Sequence, residues 1–308
     1  MIFSIRGSEY FSSQIAKHMP VVQGAIERRL FDDGEKYFRL AEDNRMGFFG
    51  KNVILVASVV SDDNLIEMQR LGSALVKCGA RRVIYVIPFE AYTTMERSVK
   101  ANEIVTAKDV ARQLSQLPAG DFRNCFLFMD LHTSGFVHYF EGDCVRFELY
   151  AEEVLTEVVR TLGLSNFMFG SADLGRAKWV ETFAKRFDTD IAFVRKTRDG
   201  EHTQIHEVIG DVSGKKVVIY DDMTRSAKSL IKAANAYLAH DATEVHAVIS
   251  HLALNNESVV DLLNSSQIKT IVTTNSHPMS QHPNVTFSHK FIVKDVSHLF
   301  VQAILNLQ

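Results

Sequence analysis

Apolar runs rich in Val and Ile alternate along the chain with segments of helical period, the pattern of an α/β protein with mostly parallel sheets flanked by helices. Strands are predicted over residues 52–59, 82–87, 125–129, 167–170, 216–220, 244–250 and 270–273. Between them, Leu65, Met68, Leu71, Leu75 and Val76 make one apolar stripe, and Leu230, Ala233, Ala234 and Leu238 another. Stripes at three- and four-residue spacing are the buried faces of amphipathic helices. Both predicted helices start just after paired acids, Asp62-Asp63 and Asp221-Asp222.

The two stretches repeat one another. Gly50-Lys51-Asn52-Val53-Ile54-Leu55 is matched by Gly214-Lys215-Lys216-Val217-Val218-Ile219. Each run continues into an acid pair, a helix, a turn ending in Gly79-Ala80 or Asp241-Ala242, and another apolar strand. This reads as an internal duplication of one α/β unit. The expected division is a first domain over residues 1–144, a second over 145–290, and a C-terminal segment 291–308 whose helix packs back on the rest. No proline- or serine-rich linker marks a boundary.

Composition narrows the function. The 308 residues are 46% hydrophobic, enough for two domains with real cores. With 34 basic against 37 acidic residues and no long Lys/Arg tract, nucleic acid is not an expected partner, whereas a small anionic ligand is compatible. The first residues lack the pattern of an export signal, and nowhere do about 18 apolar residues run together, so a cytoplasmic protein without a membrane anchor is expected. Cys78, Cys125 and Cys144 are odd in number, sit among apolar residues and show no C-x-x-C spacing. They read as reduced thiols.

In parallel α/β sheets ligands bind at the carboxyl ends of strands, so polar residues after apolar runs are the first candidates. Four places qualify: residues 130–134, with His132; residues 171–176, with Asp173; Arg195-Lys196-Thr197-Arg198; and residues 221–229. Carboxylates and cations so combined suit phosphate chemistry with a divalent metal. Mg²⁺ takes one or two protein ligands and completes its shell with water and phosphate, so His132 and Asp173 would suffice. Lys196 and Arg198 would stabilise charge on a transferring phosphoryl group. Asp221 and Asp222 can each accept a hydrogen bond from a vicinal diol, and residues 224–229 open a helix whose free N–H groups favour a phosphate. Each has a structural alternative: His132 as a hydrogen-bonded strand-end residue, the acid pair as a helix cap, Lys196 and Arg198 as solvated edge-strand positions. Their recurrence at four successive strand ends favours chemistry.

Seven segments, in order, resemble motifs of the ribose-phosphate pyrophosphokinases, also called PRPP synthetases. Phe31-Asp32-Asp33-Gly34-Glu35 is similar to F-x-D-G-E, Asp63-Asn64-Leu65 to D-N-L, and Met129-Asp130-Leu131-His132 to M-D-L-H. Residues 171–177 are similar to S-P-D-x-G-x-x, Lys196-Thr197-Arg198 to the K-x-R of a catalytic flap, Gly210-Asp211-Val212 to G-D-V, and Asp221-Asp222-Met223 to D-D-M. The resemblance runs from about Ile5 to Asn306. It implies two similar phosphoribosyltransferase-type domains, assembly into dimers or hexamers, and transfer of the β,γ-diphosphate of ATP to the anomeric hydroxyl of ribose 5-phosphate, with Mg²⁺ required and AMP released. It also implies roles. Phe31, Asp33 and Glu35 would line an adenine pocket lent by a neighbouring subunit; His132 and Asp173 would hold metal, His132 lying also beside ATP. Lys196 and Arg198 would stabilise the transition state, Asp221 and Asp222 would bind the diol, and Thr224, Arg225, Ser226, Ala227, Lys228 and Ser229 would form the sugar-phosphate loop.

Two departures bear on substrate. The family loop reads D-D-M-x-D-T-G-G-T, and here an acid has become Arg225 and a glycine Lys228. A long side chain where glycine lets backbone approach a phosphate should open the cup. The family's Y-A-R-Q-D is Tyr92-Thr93-Thr94-Met95-Glu96, without the phosphate-contacting arginine and adenine-contacting glutamine; Arg97 is the candidate to compensate in ATP binding. The favoured acceptor is ADP-ribose, whose second phosphate Arg225 and Lys228 would meet, giving ADP-ribose pyrophosphate for NAD synthesis. The alternatives are ordinary ribose 5-phosphate and a noncatalytic regulatory relative. Trp179, the one tryptophan, would either stack an adenine or belong to a core.

Overall fold

The structure is a computed structural model that describes residues 1–41, 47–172, 177–199 and 202–307; at 177–178, 196–199 and 202–206 the backbone alone is described. The chain divides into two units, Met1–Tyr150 with Val296–Gln308, and Ala151–Asp295. The first unit runs β1 (Ile2–Ser4), α1 (Glu9–His18), β2 (Ile26–Leu30), β3 (Lys36–Leu40), β4 (Asn52–Val56), α2 (Asp62–Lys77), β5 (Arg82–Ile87), α3 (Thr106–Ser115), β6 (Cys125–Met129) and β7 (Val145–Leu149). Its parallel sheet has the order β1-β4-β5-β6-β7, and β2 and β3 form a separate antiparallel hairpin.

The second unit runs α4 (Glu152–Thr161), β8 (Phe167–Ser171), α5 (Ala177–Lys185), β9 (Ile191–Asp199), β10 (His202–Ile209), β11 (Lys216–Thr224), α6 (Ala227–Ala239), β12 (Glu244–Leu252), α7 (Asn256–Asn264), β13 (Thr270–Thr274), α8 (Pro283–Thr286) and β14 (Phe291–Lys294). Its sheet order is β10-β9-β8-β11-β12-β13-β14, parallel except for the β9–β10 hairpin. The last helix, α9 (Ser297–Leu305), belongs to the first unit, where Phe300 packs edge-on against Phe11 of α1 at 5.5 Å.

The predicted duplication is present in detail. The series β1-β4-β5-β6-β7 and β8-β11-β12-β13-β14 share order and direction, and in each an antiparallel hairpin is inserted between the first two strands of the series. The helix ends also match. Gly79 N donates to Val76 O and Ala80 N to Leu75 O, as Asp241 N does to Leu238 O and Ala242 N to Tyr237 O. Both are Schellman caps, with a left-handed residue at the turn, Gly79 at φ +100° and Asp241 at φ +63°. Gly50 N on Gly79 O is repeated by Gly214 N on Asp241 O, and both glycines sit near φ +69°.

The unit boundary differs from the expected one. A break after residue 144 would strip β7 from its sheet, where Val145 lies opposite Cys125 and Leu149 opposite Met129. At the other end, Phe291 pairs with Ile271, so the returning segment starts at Val296. Strand ends shift too. The ladder of β4 closes at Val56, whereas β11 runs to Thr224 and β9 to Asp199. Among the described residues no helix is long and apolar enough to cross a membrane. The three cysteines are free thiols; only Cys125 is fully buried, and that burial pushes its thiol up to about 12.

The helix stripes pack as the pattern requires, with Leu65, Met68, Leu71 and Leu75 of α2 at 4% exposure or less. Fully burying a side chain of this size contributes about 1.5–3 kcal/mol. Close approach of α2 to β5 depends on Gly72: a Cβ there would fall 2.1 Å from Tyr85 Oη. The Tyr85 ring cannot yield easily, being fully buried and stacked at 4.6 Å on Phe126. Gly72→Ala is therefore expected to cost about 1–3 kcal/mol through overpacking, read as a lowered Tm in thermal unfolding; an unchanged Tm would contradict this packing.

Candidate functional site

In the second unit, β11 pairs with β8 only as far as Ile219 opposite Gly170, but with β12 as far as Thr224 opposite Leu252. The acid pair therefore lies inside an extended strand rather than after one. The long apolar run of β12 supplies ladder partners that the sequence pattern of β11 does not reveal. Asp221 and Asp222 are half-buried, and Asp222 N donates to Asp221 Oδ1 at 3.0 Å. Thr224 is buried with Oγ1 donating to Ser226 O at 3.4 Å.

The loop beyond opens α6. Arg225, Lys228 and Ser229 are exposed, whereas Ala227 is fully buried in the core. Ser226 holds the N-cap position without a side-chain cap bond, in contrast to Ser61, whose side chain accepts from Asn64 N at the start of α2. The start of α6 is thus left without the usual N-cap side-chain bond, and a helix start with uncapped amides favours an anion. Positions 196 and 198 lie within β9, opposite Ile205 and Thr203 of β10. They belong to the hairpin strand rather than to a loop after it; their side chains, and Asp173, lie outside the described residues. Trp179, in α5, is half-buried.

In the first unit, Phe31, Asp33 and Glu35 form the tip of the β2–β3 hairpin. Phe31 N donates to Glu35 O and Gly34 N to Phe31 O, both at 2.9 Å, while Asp33 Oδ1 accepts from Glu35 N at 3.0 Å. The φ of +91° at Gly34 is one that side chains disfavour. Phe31 is 49% exposed. The hairpin is tied to its unit by Arg28, whose Nε donates to Glu67 Oε1 at 2.8 Å and whose Nη2 donates to Ser4 O at 2.7 Å. Between hairpin and α2 lies a cavity of about 620 Å³ lined by Glu35, Tyr37, Asp63, Ile66 and Arg70 among others.

The segment after β5 is held by Tyr92. Tyr92, at φ +66°, donates through Oη to Asp62 Oδ1 at 2.5 Å, and that bond is the main cause raising its phenol pKa. Arg97 is exposed, 3.4 Å from Glu96 Oε1. Glu90 is 3% exposed, and neither carboxyl oxygen has a hydrogen-bond partner among the described residues.

His132 stands half-buried just past β6. Beside it Asp130 is 4% exposed at φ +41°, its amide donating to Leu149 O, and Leu131 N donates to Glu148 Oε1 at 3.0 Å. A buried acid in a left-handed conformation is backbone strain of the kind that concentrates at functional sites. The Tyr150 hydroxyl is pushed up by burial first and then by Glu148, with a bond to Ser134 acting the other way. Sequence reading assigned no role to Asp130, although the M-D-L-H motif contains it. Glu148 and Tyr150 lie in and just after β7, a short, half-buried strand whose internal Arg and Glu hide it in the apolar pattern. Among the described residues no three or more His, Cys, Asp or Glu gather as a metal cage.

Comparison with known proteins agrees with this architecture. Residues 1–117 match the family model described as the N-terminal domain of ribose phosphate pyrophosphokinase, and residues 189–308 match the phosphoribosyl synthetase-associated domain. The chain is 30% identical to a ribose-phosphate pyrophosphokinase of Gloeobacter violaceus, over 90% of this chain and 82% of that one. It is 28% identical to that of Caldanaerobacter subterraneus, over 99% and 94%. The fold matches a phosphoribosylpyrophosphate synthetase from Mycobacterium smegmatis with a TM-score of 0.86 at 23% identity, covering 100% of this chain and 98% of that one.

Glu90 gives this region a pH signature. Burial raises its carboxyl well above the usual 4.5, so between 4.5 and its folded value the folded chain holds a proton that the unfolded chain has released. The associated stability is intact below 4.5 and drains as pH rises above it. Relative to Glu90→Gln, the wild-type Tm is expected to fall progressively as pH rises above 4.5. A wild-type-minus-variant Tm difference that stays flat or increases as pH rises would contradict a protonated Glu90.

Proposed function

Because the chain belongs to the ribose-phosphate pyrophosphokinase family, we propose that it transfers the β,γ-diphosphate of ATP intact to the anomeric hydroxyl of a ribose 5-phosphate unit, and that this unit is carried by ADP-ribose. The anomeric oxygen forms a bond to the β-phosphorus, the bond from that phosphorus to the oxygen bridging to the α-phosphorus breaks, and AMP departs with that oxygen. The hydroxyl proton passes to solvent or phosphate, and no protein nucleophile takes part. Lys196 and Arg198 meet the charge that builds on the transferring group. Asp221 and Asp222 hold the diol, so that the attacking oxygen is presented in one orientation.

Mg²⁺ suits the donors available. An ion that arrives on the ATP phosphates needs one or two protein ligands rather than a cage. His132 and Asp173 would supply them. When bound, the ion neutralises phosphate charge. ATP would lie against the first unit at His132 and Arg97, with Phe31, Asp33 and Glu35 brought by a neighbouring copy of an oligomer.

The observation that carries the acceptor is the loop opening α6. Exposed Arg225 and Lys228 flank a helix start that the N-cap residue Ser226 does not cap. One monoester phosphate is served by the amides with Ser226 and Ser229; two added cations at an open cup suit the diphosphate of ADP-ribose, through charge-assisted hydrogen bonds. A second reading, ribose 5-phosphate itself, is favoured by the names of the full-length relatives.

Purified protein with Mg-ATP and either acceptor, followed by AMP release and product mass, separates the readings. Turnover is expected with ADP-ribose; turnover with ribose 5-phosphate alone would reject that acceptor, and none with either would reject the reaction. Arg225→Asp with Lys228→Gly should shift preference toward ribose 5-phosphate by about tenfold or more, given two lost charged contacts. Lys196→Ala should lower kcat by about a hundredfold or more with Tm unchanged.

A further inference from the structure

Beyond Thr224 the sequence hands the loop to α6, and before it the sheet has already narrowed. From Asp221 to Thr224 the lateral ladder of β11 is with β12 alone, through Asp221 opposite Ile249, Met223 opposite His251 and Thr224 opposite Leu252. The placement of the acid pair is therefore only as firm as the end of β12. That end has outrun its own neighbour as well, since the β12–β13 ladder stops at Ile249 opposite Thr273.

Side chains take over where the backbone ladder stops. Thr274 Oγ1 donates to Ser250 O at 2.7 Å and stands 2.8 Å from Ser276 Oγ, which lies 2.7 Å from His251 Nδ1. All four residues are 2% exposed or less. Each hydroxyl has one proton. With the Thr274 proton on the Ser250 carbonyl, Ser276 must donate to Thr274 and His251 must donate from Nδ1; otherwise two lone pairs face each other at 2.8 Å. The assignment follows from this donor count. A directed chain thus runs from His251 through Ser276 and Thr274 to the Ser250 carbonyl. The next strand is bound in by Asn275, whose amide donates to Lys294 O at 2.9 Å and whose Nδ2 donates to Asp295 Oδ1 at 2.6 Å.

We propose that His251 and Ser276 are positioning residues for the acceptor: their buried hydrogen bond fixes the end of β12 and, through it, the strand that carries Asp221, Asp222 and the start of the sugar-phosphate loop. Neither touches substrate. This rests on the acceptor being held by residues 221–229, and the test has one readout that does not depend on turnover.

Wild type, His251→Ala, Ser276→Ala and His251→Asn are compared as full chains. Asn can place an amide donor where Nδ1 stands. In the two alanine variants the KM for the acceptor should rise about tenfold, with kcat and the KM for ATP within about twofold, as expected for loss of one buried hydrogen bond relayed to one substrate. His251→Asn should recover most of the loss. Hydrogen exchange of the amides of residues 222–226 should quicken about tenfold in the alanine variants, with β5 and β6 unchanged. Unaltered exchange at 222–226, or a parallel rise in both KM values with a general loss of protection, would overturn the proposal. A wild type that turns over neither acceptor would overturn the functional reading, while the exchange comparison would still decide the positioning role.

Discussion

The ladder between β11 and β12 continues past the level at which β8 has stopped, and the acid pair and the loop that opens α6 hang from that overhang. A parallel strand held on both sides is buried and apolar. A strand held on one side only can carry polar residues and still be fixed in place. Asp221 and Asp222 occupy this intermediate condition, half-buried and backbone-anchored on one flank. The loop that follows inherits its starting direction from them, and the first turn of α6 inherits its position from the loop. A carboxylate pair on a free loop would bear the full conformational cost of being ordered by its ligand.

Duplication explains why two halves of different use share so many turns. The Schellman caps at Gly79 and Asp241, and the contacts of Gly50 and Gly214 onto them, fix how a helix returns to its next strand. Those contacts lie at the amino ends of the strands. At the carboxyl ends the copies part company. The start of α2 is closed by Ser61, and the start of α6 is not closed by Ser226. The first unit's hairpin stands off its sheet on the Arg28–Glu67 pair, whereas the second unit's hairpin is annexed to its sheet through β9. Equivalent hairpin insertions thereby supply a free-standing tip in one half and the K-T-R strand in the other.

Much of this was legible in the sequence, and the exceptions have physical causes. The buried strands β5 and β6 appear at their exact bounds because both faces are apolar and a run of Val, Ile, Phe and Leu admits no other reading. The β7 strand, half-buried at every position but the exposed Phe147 and with an internal Arg and Glu, has no such signature, and its omission moved the predicted domain boundary. Extension of β11 through two acids depends on a partner strand and so cannot be seen in β11 itself. The motif residues were recognisable by order and spacing. The network around His251 was not, because Ser250, His251, Thr274 and Ser276 lie far apart in the chain and only the register of β12 against β13 joins them.

The return of α9 to the first unit has a consequence for synthesis. The Ala151–Asp295 unit is one continuous stretch, complete as soon as its last strand has left the ribosome. The Met1–Tyr150 unit, though made first, lacks the partner of α1 until Phe300 arrives to cover Phe11. Domains generally mature in the order in which they are translated. Here the amino-terminal half is the last to be finished, and a chain cut short within its final dozen residues would carry a complete second half and an unsealed first one.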